Sequence, residues 1–224
     1  TLKNNKIKIK ESFKLNSLNT LASTGSPLVN ESFEYVYENI KSNIHLESIS
    51  GGTDLVSCFV TGNPLMDVYS GEIQCKALGM DVDVFDEKGN SIENQKGELV
   101  CKSSFPSMPL YFWNDHDNKK YFNSYFSKYE NIWYHGDYIE KTINGGYVIY
   151  GRSDATLNSG GVRIGTAEIY RVIENIREVQ EAVAVEYKLK NDTQIILFVV
   201  LNKNFEFNEN LRSKIINEIK INIS

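Results

Sequence analysis

The segment Ser50-Gly51-Gly52-Thr53-Asp54-Leu55 sets a hydroxyl beside a carboxylate directly after an apolar stretch. Together these groups suit a phosphate and its magnesium ion. The hydroxyl donates to a phosphate oxygen, and the carboxylate is a hard oxygen ligand. The same letters also suit an Asx-type turn that opens a helix, and the segment alone does not separate the two. In Trp133-Tyr134-His135-Gly136-Asp137-Tyr138 an aspartate stands among glycine and aromatic residues. Such a carboxylate can accept two hydrogen bonds from a ribose diol; a plain hairpin turn is the alternative. His135 reads as a packing or supporting residue, not as a base. Ser23-Thr24-Gly25-Ser26-Pro27 is a glycine-bearing strand exit, where backbone can approach a flat ligand closely, or an ordinary turn. The run from Gly151 to Ile169 flanks a bending loop with Arg152 and Arg163. Arginine offers planar donors to phosphate or ribose oxygens, and an interdomain loop with ion pairs is the structural alternative.

These segments need elements to hold them. Residues 18–23 predict a short strand, residues 29–40 a helix and residues 45–49 a second strand. The helical spacing is Val29, Phe33, Val36, Tyr37 and Ile40. Strand, helix, strand within this span is a βαβ unit, which implies a parallel sheet whose ligand edge lies at the strand C-termini. The middle of the chain changes character. Residues 80–86 alternate apolar and polar, residues 87–90 form a turn and residues 97–102 a strand, which is antiparallel patterning for a small barrel or sheet. A helix is predicted over 115–127, then strands over 132–140 and 146–150 joined by Asn144-Gly145, a strong hairpin signal. Beyond Gly151 a compact α+β part follows. It has a strand at 162–164, a helix capped by Thr166 with the stripe Ile169, Val172, Ile173 and Ile176, strands at 179–187 and 194–201, and a last helix through Leu211, Ile215 and Ile219.

Composition narrows the class. The chain has 224 residues, 41% hydrophobic and 24% charged, ordinary for a globular protein and unlike disordered, collagenous or coiled-coil chains. No apolar run approaches the ~20 residues of a membrane span, and the start has no apolar core of signal-peptide type. A cytoplasmic protein is the default. The net charge of −5 argues against nucleic acid as a partner. Lys3, Lys6, Lys8, Lys10 and Lys14 crowd the start against Glu11 alone; a solvated or frayed end is the plain reading and a phosphate-binding arm the alternative. Cys58, Cys75 and Cys101 are widely spaced and odd in number, which points to a reducing compartment without disulfides. His45, His116 and His135 form no zinc-site spacing.

In this order the segments resemble the adenylate-forming acyl-CoA synthetases, the superfamily of the luciferases and nonribosomal peptide adenylation domains. Within it they resemble the branch acting on acetoacetate. The resemblance rests on residues 49–54, 112–115, 125–127, 132–138 and 151–169 and covers roughly residues 18–201. Gly151-Arg152-Ser153-Asp154, with the later Gly161-Val162-Arg163-Ile164-Gly165-Thr166-Ala167-Glu168, is specific to the superfamily. Ser50-Gly51-Gly52-Thr53-Asp54 and Trp133 to Tyr138 narrow it to the branch.

The resemblance implies an α/β and α+β fold. Residues 1–153 would be the end of a large nucleotide-binding domain, a βαβ unit plus a small barrel-like part, and residues 154–224 a truncated α+β C-terminal domain. It implies a two-step reaction of ATP, acetoacetate and CoA with Mg²⁺. Gly25, Ser26 and Pro27 would line the adenine pocket, and Gly52 would be among the residues that bind ATP or AMP. Thr53 would contact the α-phosphate and Asp54 help hold Mg²⁺. Asp137 and Arg152 would bind the ribose, and Arg163 approach the phosphates. Asp154 would be a hinge, and Ser159 and Gly160 would approach the pantetheine arm of CoA. Related acetyl-CoA synthetases carry Trp where this chain has Gly51, so a missing indole would leave room for a longer acyl group. The family's phosphate loop and catalytic lysine are expected outside these residues, and the chain alone is expected to make no acyl-CoA. Another short-chain acyl-CoA synthetase, or a noncatalytic nucleotide-binding remnant, is the alternative.

Overall fold

The computed structural model describes residues 7–154, 157–159, 162–188 and 193–223. The chain divides into two compact units, Thr1–Ile149 and Tyr150–Ser224. Each encloses its own apolar cluster.

The first unit opens with a single helical turn, α1 (Ile9–Ser12). Lys8 pairs with Glu11 at 3.3 Å, and both side chains are exposed. Lys3 and Lys6 lie outside the described residues. The expected βαβ unit follows as β1 (Thr20–Ser23), α2 (Asn30–Asn39) and β2 (His45–Ser48). The strands pair in parallel, from Thr20 opposite His45 to Ser23 opposite Ser48. Helix α2 turns Phe33 and Val36 onto them, and Ile40, Ile44 and Leu46 complete this cluster.

Next come two antiparallel sheets. One holds β3 (Ser50–Gly52), β4 (Ser57–Thr61) and β5 (Cys75–Lys76). The other holds β6 (Val82–Phe85), β7 (Lys96–Cys101), β8 (Trp133–Lys141) and β9 (Tyr147–Arg152) in sequential order. They meet through a bridge between Ile73 and Tyr147. Among the described residues the barrel-like part is therefore open. Leu55, Phe59, Val82, Leu99, Trp133, Ile139 and Tyr147 fill the core between them, each at most 1% exposed. Helix α3 (Lys119–Tyr125) lies in the β7–β8 connection. It is shorter than the predicted 115–127. Asp115 does not enter the helix; its carboxylate accepts from the N–H groups of Lys120 (3.1 Å) and Tyr121 (2.8 Å) and so satisfies donors of the first turn.

The second unit begins with the hairpin β10 (Leu157–Ser159) and β11 (Val162–Ile164), then α4 (Thr166–Glu174). The N-cap of α4 is Gly165, and Thr166 is its first helical residue. The cap is shifted by one because the Glu168 carboxylate reaches back to accept from the Gly165 N–H at 2.9 Å. Strands β12 (Val179–Lys188) and β13 (Thr193–Leu201) form an antiparallel pair, and α5 (Glu209–Asn222) follows. Asn208 caps α5 by accepting from the Leu211 N–H. Ile169 and Ile173 of α4 pack with Leu211 and Ile215 of α5 and with alternate residues of the strand pair. Among the described residues no helix is long and apolar enough to cross a membrane.

Candidate functional site

Parallel pairing decides where the candidate segments emerge. With Ser23 opposite Ser48, β1 and β2 end together, and the Ile49 N–H donates to the Ser23 carbonyl at 2.9 Å. Gly25-Ser26-Pro27 and Ser50-Gly51-Gly52 therefore leave one edge of the pair, the edge where open α/β sheets take ligands. Gly25 and Ser26 are exposed and Pro27 is half-buried.

The segment after Ile49 is neither the helix-opening turn nor a loose loop. It is a hairpin strand with a four-residue turn, residues 53–56. Thr53 and Asp54 are exposed on that turn, and Leu55 is fully buried beneath it. Gly51 has a cause within the hairpin. A Cβ there would lie 2.1 Å from the Ser57 carbonyl oxygen and 2.4 Å from Cys58 Cα, so no side chain fits without moving the partner strand. At Gly52 a Cβ would lie 2.0 Å from Asp54 Oδ1 and 3.1 Å from His135 Cε1. The absent side chain lets the carboxylate fold back over the backbone and brings β8 close.

Strand β8 supplies the third segment through a bulge, not a turn. Register runs from Glu98 opposite Tyr138 to Val100 opposite Tyr134, so β8 carries extra residues between them. Gly136 lies within this bulge at φ +80°, in the left-handed region. His135 and Asp137 are both buried, with Nε2 of the histidine 3.8 Å from Oδ2 of the aspartate. The imidazole also meets Phe59 edge-on, centroids 4.8 Å apart. Contacts thus run from Asp54 through Gly52 and His135 to Asp137.

Tyr125 is a side chain in contact with the candidate site to which residue types and spacing assigned no role. Its hydroxyl donates to Asp54 Oδ2 at 2.5 Å across 71 positions of sequence. Its ring stacks on Trp133 with centroids 3.7 Å apart and planes within 14°. The sequence marks residue 125 only as part of the stretch 125–127 that shares in the resemblance, and no local signal links it to residue 54.

The fourth segment belongs to the second unit. There Arg152 Nε meets Asp154 Oδ1 at 3.3 Å, with both side chains exposed. Such a surface pair contributes little by itself. Backbone register places Asn158 opposite Arg163 and Ser159 opposite Val162. Gly160 lies outside the described residues, as do the side chains of Ser159 and Arg163. Among the described residues no group of three His, Cys, Asp or Glu side chains gathers as a metal site.

No protein-family model matches the chain. It is 53% identical over 206 residues to an acetoacetyl-coenzyme A synthetase of Rhizobium meliloti, covering 92% of this chain and 32% of that protein. Among solved structures, an acetoacetyl-CoA synthetase from Streptomyces lividans matches 100% of this chain and 34% of its own, with TM-score 0.91 and 34% identity. An anthranilate CoA ligase solved with anthranoyl-AMP matches 99% of this chain and 41% of its own, with TM-score 0.76 and 18% identity, a likeness of fold. The chain spans about a third of the length of the curated relative it matches. Over that third it has the fold of the adenylate-forming CoA ligases.

Proposed function

We propose that this chain, which belongs to the acetoacetyl-CoA synthetase family and spans about a third of its members' length, carries the nucleotide edge of an acid–CoA ligase. The reaction joins acetoacetate to CoA in two steps. The acid's carboxylate oxygen attacks the α-phosphorus of ATP, forming an acyl-adenylate as the bond to pyrophosphate breaks. The CoA sulfur then attacks the acyl carbon, and AMP leaves. The first step gains most from alignment and from charge placed where it develops.

The observation that carries this reading is the shared exit of β1 and β2, which sets Gly25-Ser26-Pro27 beside the Ser50 to Asp54 hairpin. Gly25, Ser26, Pro27 and Gly52 flank the adenine. Thr53 donates to an α-phosphate oxygen. Asp137 accepts from the ribose hydroxyls, and Arg152 donates to the same sugar. Arg163 approaches the phosphates, and Ser159 and Gly160 the pantetheine arm. Asp154 is the hinge, and Gly51 borders the acyl group. A lone carboxylate beside a hydroxyl fits Mg²⁺, which takes one or two carboxylates and completes its shell with phosphates and water. Asp54 would hold that ion, whose chemistry is to offset phosphate charge. The protein works as a soluble cytoplasmic enzyme of acyl-CoA and lipid metabolism.

The test is a substrate panel on the protein that carries this segment. Acetoacetate should exceed acetate, propionate and butyrate by about a hundredfold in kcat/KM, ~2.7 kcal/mol. A preference for butyrate overturns the assignment of the acid.

A further inference from the structure

We infer that Tyr125 is a positioning residue for Asp54, fixing the carboxylate that faces the phosphates and the ion. This rests on the reading of Asp54 proposed above. An exposed aspartate on a hairpin turn ordinarily samples several rotamers. Here the carboxylate is held on one side and given room on the other. The Tyr125 hydroxyl donates to Oδ2 at 2.5 Å, the short end of charge-assisted O–H···O⁻ bonds. On the other side, Oδ1 occupies the space a Cβ at Gly52 would fill, 2.0 Å away.

The donor is itself packed among rings. The Tyr125 ring lies flat on Trp133, a residue 1% exposed, and is met edge-on by Phe112 at 5.6 Å and Tyr121 at 5.5 Å. The core therefore sets the position of the hydroxyl, and the hydroxyl sets that of the carboxylate. One oxygen is engaged, and Oδ1 keeps its lone pairs for an incoming cation. A ligand group ordered before binding loses less freedom when it binds, so affinity rises without any new contact.

The experiment uses the protein that carries this segment. Mn²⁺ binding with a non-hydrolysable ATP analogue is followed by electron paramagnetic resonance, beside Mg²⁺ titration of ATP–pyrophosphate exchange and a thermal melt. Tyr125→Phe should weaken Mn²⁺ binding about tenfold, in line with loss of one hydrogen bond to a charged group. It should leave the maximal exchange rate at saturating Mg²⁺ and the melting temperature nearly unchanged. Gly52→Ala, which leaves the tyrosine in place, should weaken the metal in the same direction by displacing Oδ1. Asp54→Asn should weaken Mn²⁺ binding by more than the roughly hundredfold upper end for loss of a partner that only supports a metal ligand. If Asp54→Asn binds Mn²⁺ like the parent, the reading of Asp54 is wrong. If Asp54→Asn loses the metal while Tyr125→Phe keeps it, the role of Tyr125 is overturned. A Tyr125→Phe protein that melts early but binds Mn²⁺ normally also overturns it, leaving only a packing role.

Discussion

The chain reverses between β3 and β4 through residues 53–56 and between β8 and β9 through residues 143–145, and the two reversals use different materials. The second uses turn chemistry. The Thr142 N–H donates to the Gly146 carbonyl, and Gly145 supplies φ +81°. Asn144 and Thr142 both donate to Glu72, at 2.9 and 2.8 Å. Tyr147 behind the turn is 1% exposed and bridges to Ile73. The first reversal does otherwise. It drives Leu55 inward to 0% exposure and returns through Val56, 87% exposed at φ +49°. A β-branched residue in that region costs about 1–3 kcal/mol. The turn that breaks the local rule is the one that presents Thr53 and Asp54. Backbone strain is retained where a buried plug and an exposed carboxylate must occupy adjacent positions.

The contrast can be broken in several ways. Leu55→Ala should have the largest effect, about 2–5 kcal/mol of stability lost by denaturant titration. A loss below about 1 kcal/mol would mean that the plug does not hold the site turn.

Next is an alkaline limit at the other hairpin. Burial, and after it the negative charges of Asp83, Cys75 and Glu93, push the Tyr147 hydroxyl up to about 12. An unfolded tyrosine ionises near ~10. The raised value makes a contribution that is complete below that pH and is lost as pH rises towards 12, because the unfolded chain releases its proton first. Denaturant midpoints should fall over that window, and Tyr147→Phe should flatten the fall. An equally steep fall in the variant would assign it elsewhere.

Smaller effects of opposite sign come from the turn residues. Gly145→Ala should cost about 1 kcal/mol, since alanine gains nothing at a positive φ. Val56→Gly should stabilise by up to about 1 kcal/mol, net of the entropy glycine adds to the unfolded chain. Melting curves of the pair measure both. Destabilisation by Val56→Gly would show that the valine is not strained.

Much of the framework was legible in the residues. The 3.6-residue spacing of Phe33, Val36 and Ile40 gives α2, and the same logic gives α4 and α5. Asn144-Gly145 marks a hairpin in the right place. The candidate segments were legible, because hydroxyl, carboxylate, glycine and arginine at strand exits are local features. Their form was less so. Residues 50–54 do not say whether they open a helix or a hairpin, because two glycines weaken both signals. Residues 134–138 do not announce a bulge, which exists only against β7.

Sequence alone thus determined the periodic elements, the parallel βαβ start and the residue types in the segments proposed to meet a nucleotide, all consequences of local spacing and side-chain chemistry. Tertiary structure alone decided that Tyr125 reaches Asp54, that Gly51 must yield to the Ser57 backbone and that His135 lies against Gly52. Each of these joins residues from different elements. Such contacts are set by sheet register and core packing, to which spacing along the chain carries no reference.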